Sequence, residues 1–130
     1  MRALLIDPVA RTITEIDMRG VTRRERQHEG APTLAEVLGC DWIDRVSLGG
    51  GVDLWIDDEG RLAYPNPLGY FRISGVIFCG RGVLLGVRGP ESVALSPLIT
   101  PEAVASVVEW LGTPPESEVA PSITITEWEP

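Results

Sequence analysis

The sequence predicts an α+β domain with a mainly antiparallel, curved sheet, or a small, partly open barrel, and two helices. Short apolar or alternating segments recur between glycine- and proline-containing turns, which is typical of antiparallel strands. Only two segments carry helix-start signals, at Thr33 and at Thr100. The 130 residues suffice for one core, so we predict a single domain over residues 1–112 and a proline-rich spacer with an extended strand over 113–130.

The first segments predict a hairpin and a loop. Residues 3–6 are apolar, Asp7 and Pro8 form a turn signal, and residues 11–16 alternate in polarity with period two, so two antiparallel strands are expected. Residues 19–30 are polar, mixed in charge and bounded by glycines. We interpret them as a solvated loop.

A short helix and a glycine turn follow. Thr33 and Glu36 have the spacing of a capping box, and Gly39 is placed to end a helix of at most about two turns. Residues 42–48 then predict a strand. The three glycines at 49–51 predict a turn, since no helix or lysine follows that would make them a phosphate-binding loop.

The segment from residue 52 to residue 69 predicts a hairpin and an irregular loop. Residues 52–57 alternate, with the apolar side chains at 52, 54 and 56 on one strand face and Trp55 with the two aspartates on the other. Gly60 is placed to close a turn after which residues 61–64 return antiparallel. Pro65 and Pro67 lack an N–H donor, so the chain must leave the sheet there.

The remaining segments predict buried strands, a helix and a tail. Residues 76–79 and 83–85 are continuous apolar runs, typical of strands buried on both faces or closed into a barrel, and residues 92–95 form a further predicted core strand. Thr100 begins a helix that we predict over residues 101–111, the longer of the two, because apolar side chains recur there at helical spacing.

An extended C-terminal strand is predicted over residues 122–128, where polarity alternates. It pairs either with its own sheet or with a second copy, giving a homodimer that buries Ile123, Ile125 and Trp128.

Charge and cysteine content limit the partners. The formal net charge of −8 argues against attraction to nucleic acid or to an anionic membrane surface, and no apolar run is long enough to span a bilayer. Cys40 and Cys79 have no CxxC spacing and are interpreted as free thiols of a cytoplasmic protein, although a disulfide between them stays open.

The sequence contains no catalytic signature. The single histidine, His28, lies in the charged loop far from both cysteines, so we predict no metal and no cofactor. Asp53, Asp57 and Asp58 belong to the densest group of carboxylates, which we interpret as a solvated hairpin tip rather than as an acid–base pair or a cation site. An enzyme is therefore the less favoured class.

The loop over residues 64–72 is the candidate ligand-binding surface. Tyr64 and Tyr70 offer rings for stacking, Asn66 an amide that donates and accepts, and Arg72 a guanidinium for an anion. The alternative, which we favour, is a connection that crosses the core, with Tyr70 and Phe71 packed inside and Asn66 capping the turn.

In their order, these motifs resemble a small family found largely in bacteriophages and mobile elements, the DUF3846 type. The resemblance covers residues 1–112 and includes the TLAEVLG helix, the DDEGRL segment, the step from Pro65 to Asn66 and the G-x-I-F-x-G strand at 75–80. Where the family usually has arginine after its asparagine, this chain has Pro67.

The resemblance implies a mobile-element accessory role rather than a reaction. We expect a non-enzymatic protein that binds a host protein or a small anionic ligand such as a nucleotide. The alternative is a metal-assisted hydrolase that uses Asp53, Asp57 and Asp58 on a phosphate-containing substrate.

Overall fold

The structure, a computed structural model, describes residues 1–18 and 32–119. These residues form nine β-strands and two α-helices, with short 3-10 helices at Gly60–Leu62 and Glu116–Glu118. The strands are β1 (Arg2–Asp7), β2 (Thr12–Asp17), β3 (Ile43–Gly49), β4 (Val52–Asp57), β5 (Tyr70–Ile73), β6 (Val76–Cys79), β7 (Gly82–Arg88), β8 (Glu91–Val93) and β9 (Glu109–Leu111), and the helices are α1 (Leu34–Leu38) and α2 (Pro101–Ala105).

The strands form two antiparallel sheets. The larger sheet has the order β2-β1-β7-β4-β3, with β8 also paired to β7, and the smaller has the order β6-β5-β9. The prediction of an α+β fold with mainly antiparallel sheet and two helices is confirmed. The described strands leave the larger sheet open between β2 and β3, so they do not close into a barrel.

Strand β7 is the centre of the core because both of its faces are buried, as its apolar sequence predicts. Val83 and Leu85 pack on the side of the larger sheet that α1 covers. Leu84 packs on the opposite side, against the smaller sheet. The larger sheet therefore lies between α1 on one face and the smaller sheet with α2 on the other.

The two sheets approach closely at Gly82. A Cβ atom on this residue would lie 2.8 Å from Leu54 Cδ1 and 3.0 Å from Phe71 Cζ. Phe71 is fully buried and stacks on Phe78, with ring centroids 5.5 Å apart. The absence of a side chain at Gly82 thus leaves room for Phe71 of the smaller sheet and for Leu54.

Most of the local signals are confirmed. The β1–β2 hairpin, strand β3 and the glycine turn before β4 are present. The Thr33 hydroxyl accepts the Glu36 N–H at 3.3 Å, the Glu36 carboxylate accepts the Thr33 N–H at 2.8 Å, and α1 ends at Gly39 with left-handed backbone. Of the core strand predicted at residues 92–95, only 92 and 93 lie in a strand, β8, and β9 follows it in the chain.

The returning strand predicted at residues 61–64 is wrong. The chain instead forms the 3-10 helix Gly60–Leu62 after β4. The reason is that β3 and β7 already occupy the two edges of β4, which leaves no edge for residues 61–64. Gly60 is needed for space rather than for a turn, because a Cβ there would lie 2.8 Å from the Cys79 carbonyl oxygen.

The long helix predicted over residues 101–111 is also wrong in its extent. It begins as predicted, with the Thr100 hydroxyl accepting the Ala103 N–H at 3.1 Å, but α2 ends at Ala105 and is no longer than α1. The chain beyond it forms β9, which pairs with β5. Hydrogen bonding along the edge of β5 therefore prevails over the helical spacing of the valines.

Two predicted segments, the loop at residues 19–30 and the strand at residues 122–128 with its homodimer, lie outside the described residues. In the described part of the chain, no helix has the length and apolar character required to cross a membrane.

Candidate functional site

Asn66 joins the predicted ligand-binding loop to the 3-10 helix Gly60–Leu62 and bonds to two residues within the loop. Its Nδ2 donates to the Gly60 carbonyl at 2.7 Å, and its Oδ1 accepts the Leu68 N–H at 2.8 Å. Its backbone N–H donates to the hydroxyl of Tyr70 at 2.7 Å. Tyr70 is only 2% exposed, and burial raises the pKa of its phenol, so the hydroxyl stays neutral.

The other two predicted ligand-binding residues also have partners within the chain. Tyr64 donates its hydroxyl to the Pro114 carbonyl at 2.6 Å, and Arg72 pairs with Glu109 at 2.8 Å across β5 and β9. This geometry is that of the core-crossing connection, with Tyr70 buried and Asn66 bonded to the turn. A ligand-binding role for the four residues stays a prediction.

The fold places Asp53, Asp57 and Asp58 in different surroundings. Asp53 is 4% exposed and lies 3.8 Å from Arg45, while the Oδ1 atom of Asp57 accepts the Glu59 N–H at 2.9 Å. Asp58 is exposed in the turn. Within residues 1–18 and 32–119, no group of three or more His, Cys, Asp or Glu side chains is placed to hold a metal ion.

A pocket lies where the segment after α1 meets the end of β4 and the 3-10 helix. We call it the α1–β4 pocket. Its volume is about 420 Å³. Two large apolar side chains at its wall, Trp42 and Leu62, are 66% and 65% exposed. Its lining residues are Gly39, Cys40, Asp41, Trp42, Asp57, Glu59, Leu62 and Ala63.

One backbone hydrogen bond joins the two walls of the α1–β4 pocket, and another closes the 3-10 helix within one wall. The Asp58 N–H donates to the Trp42 carbonyl at 2.9 Å, and the Leu62 N–H donates to the Glu59 carbonyl at 3.0 Å. Asn66 fixes the same 3-10 helix through its bond to Gly60. The residue predicted to bind a ligand therefore supports the pocket wall without lining it.

The α1–β4 pocket is acidic. Its lining includes the carboxylates of Asp41, Asp57 and Glu59 and no basic side chain. In the part of the chain that the structure describes, none of the three forms an ion pair. Arg61, next to the lining residue Leu62, lies close enough to Cys79 to lower the pKa of that thiol, but it pairs with none of these carboxylates. The lining thus favours a cation over an anion.

Both cysteines are free thiols, as the sequence predicts. Burial, followed by the negative charges of Asp57 and Asp41, raises the pKa of the Cys40 thiol to about 11. Burial likewise raises the pKa of Cys79 to about 11, partly offset by Arg61. Since the thiolate is the nucleophile, these values predict poorly reactive thiols.

We expect both thiols to react with iodoacetamide about 100-fold more slowly at pH 8 than a thiol of pKa 9, because a rise of two pKa units lowers the thiolate fraction by that factor. The measurement is alkylation of each cysteine by mass spectrometry between pH 7 and pH 10, with unfolded protein as the control. The rates should rise about tenfold per pH unit across that range. A plateau below pH 9 would contradict the raised pKa values.

Sequence reasoning missed the α1–β4 pocket. The sequence predicts Trp42 in a strand and Leu62 in a returning strand, positions at which both side chains would pack on a sheet face. Instead Trp42 precedes β3 and Leu62 lies in the 3-10 helix. A signal was present in the sequence, since both apolar residues stand next to acidic segments of the kind that remain at the surface.

The fold and the pocket define an α+β protein of two antiparallel sheets with a concave, acidic surface beside α1. The family model described as "Domain of unknown function (DUF3846)" matches residues 1–106, and the chain belongs to this family. The match includes β1 to α2 and ends before β9. No curated protein and no solved structure matches the chain.

Proposed function

We propose that this chain is a non-enzymatic accessory protein of a phage or mobile element that binds a host protein. The observation that carries the proposal is the pair of large exposed apolar side chains, Trp42 and Leu62, at the wall of the α1–β4 pocket. Aromatic residues beside pockets are enriched among the residues that dominate protein–protein binding energy. The backbone hydrogen bonds around the pocket limit the entropy lost on binding.

The structure supports a protein target better than a small anionic ligand. The carboxylates of the α1–β4 pocket repel phosphate groups, and Arg72, the predicted anion contact, already pairs with Glu109. The hydrolase alternative has no supporting observation among the described residues, since Asp53 is buried beside Arg45 and away from Asp58 in the exposed turn.

The test is affinity capture from host lysate with quantitative mass spectrometry, followed by titration of the captured protein after purification. We expect the double variant Trp42→Ala/Leu62→Ser to lose the captured protein and to weaken its binding at least about tenfold, as loss of a central aromatic contact does. The matched control is Leu98→Ser/Val107→Ser, which removes two exposed apolar side chains outside the lining.

Equal binding by wild type and by the pocket variant contradicts the proposal. Thermal stabilisation by nucleotides, with no protein captured, would instead favour the small anionic ligand. Turnover of a phosphodiester with Mg²⁺ that Asp53→Asn and Asp57→Asn abolish would favour the hydrolase.

A further inference from the structure

We infer that the α1–β4 pocket binds a positively charged side chain, arginine or lysine, presented by an extended segment of the partner protein. The inference rests on the proposed function and specifies the chemistry that the partner must carry. Three features of the pocket support it: its charge, its aromatic wall and its size.

The charge of the pocket comes from two segments of the chain. Asp41 follows α1, Asp57 ends β4 and Glu59 lies in the turn after it, and the fold brings all three to one concavity. Asp41 and Glu59 are exposed and unpaired within the described residues, whereas the Asp57 carboxylate accepts the Glu59 N–H and interacts with the Cys40 thiol. The remaining carboxylate oxygens are acceptors, which is the chemistry that the donors of a guanidinium or ammonium group require.

The apolar wall suits the rest of such a side chain. The exposed indole of Trp42 offers a ring face on which a guanidinium can stack. In the larger sheet, the guanidinium of Arg45 lies in this way 5.5 Å from the ring centre of Trp55. Leu62 and Ala63 offer contacts for the aliphatic carbons that an arginine or lysine buries behind its charged group. A neutral apolar side chain would leave the carboxylates without a partner.

The size of the pocket indicates more than a single charged group. Its volume of about 420 Å³ lies in the range of small-molecule sites. This volume is larger than that of one arginine side chain. The volume that one arginine leaves unfilled is available to a neighbouring residue of the partner. The overall charge of −8 favours approach of a basic partner from a distance.

The experiment compares two peptides that differ only in charge, Ala-Leu-Arg-Leu-Ala and the same peptide with citrulline in place of arginine. Binding is followed by the side-chain N–H resonance of Trp42, assigned with Trp42→Phe. We expect the arginine peptide to bind about fivefold to tenfold more tightly at low salt, and this advantage to shrink as salt is raised. Equal binding of both peptides, or binding of neither at millimolar concentration, overturns the inference.

Two variants with the same loss of charge identify the site. Asp41→Asn/Glu59→Gln changes two exposed lining residues, and the advantage of the arginine peptide should disappear. Asp58→Asn/Glu91→Gln changes two exposed acidic residues outside the lining, and the advantage should be kept. Equal effects of both variants would show a general charge effect and overturn the site.

The peptide titration and the capture experiment can fail independently of each other. If Trp42→Ala/Leu62→Ser abolishes capture while the two peptides bind equally, the proposed function stands and the cationic side chain is wrong. If the arginine peptide is preferred but the pocket variant still captures the host protein, the pocket is a cation site and the proposed host interaction lies elsewhere.

Discussion

Replacing Phe71 by alanine will lower the free energy of unfolding by about 3–5 kcal/mol. Phe71 is completely buried between the sheets, stacks on Phe78 and contacts the backbone position of Gly82. The change removes transfer free energy and leaves a cavity, because β5 is paired on both sides and cannot move inward to fill it. The measurement is urea-induced unfolding monitored by circular dichroism.

The control for this prediction is Trp42→Ala, which removes a larger aromatic side chain from an exposed position. Its effect should stay within about 1 kcal/mol. A loss of less than about 1.5 kcal/mol for Phe71→Ala would contradict the packing between the two sheets described above.

Replacing Asn66 by alanine will cost about 2–4 kcal/mol, since it leaves the Gly60 carbonyl and the Leu68 N–H without their side-chain partner. Each lost partner of a part-buried backbone group contributes about 1–2 kcal/mol. Because Gly60 begins the 3-10 helix that carries Leu62, the same change should also weaken binding at the α1–β4 pocket.

The variant Asn66→Asp separates the two hydrogen bonds. A carboxylate keeps the acceptor for Leu68 but places an oxygen against the Gly60 carbonyl oxygen, where the amide donated at 2.7 Å. Its cost should equal or exceed that of alanine. If Asn66→Asp unfolds at the same urea concentration as wild type, the bond to Gly60 carries no stability.

Local signals predicted much of the fold because they depend on residues close in sequence. The capping box of Thr33 and Glu36 needs only one turn of chain, and the β1–β2 hairpin follows from alternation on both sides of a turn. The burial of β7 on both faces is likewise encoded in its own composition.

The errors concern pairings between distant segments. Nothing within residues 61–64 reveals that β7 already occupies the second edge of β4, and nothing within residues 107–111 reveals that β5 has a free edge. The valines of that segment satisfy a helical pattern and a strand equally well, so the partner strand decided the outcome.

The candidate site was predictable only in part. The sequence identified the loop around Asn66 as special, and the structure gives that residue a supporting position next to the α1–β4 pocket. The pocket itself joins residues about 20 positions apart, and its formation depends on the 3-10 helix that replaced a predicted strand.

The position of β9 determines where a recombinant fragment of this domain should end. The family match stops at residue 106, yet the smaller sheet takes its third strand from Glu109–Leu111, and Tyr64 is anchored to Pro114 beyond it. A recombinant fragment that ends at the family boundary would lack β9, so the edge of β5 would be exposed and Trp110 would no longer pack on the core. Exposed strand edges pair between molecules, so we expect such a fragment to aggregate during expression. Expression designs should extend at least to residue 115.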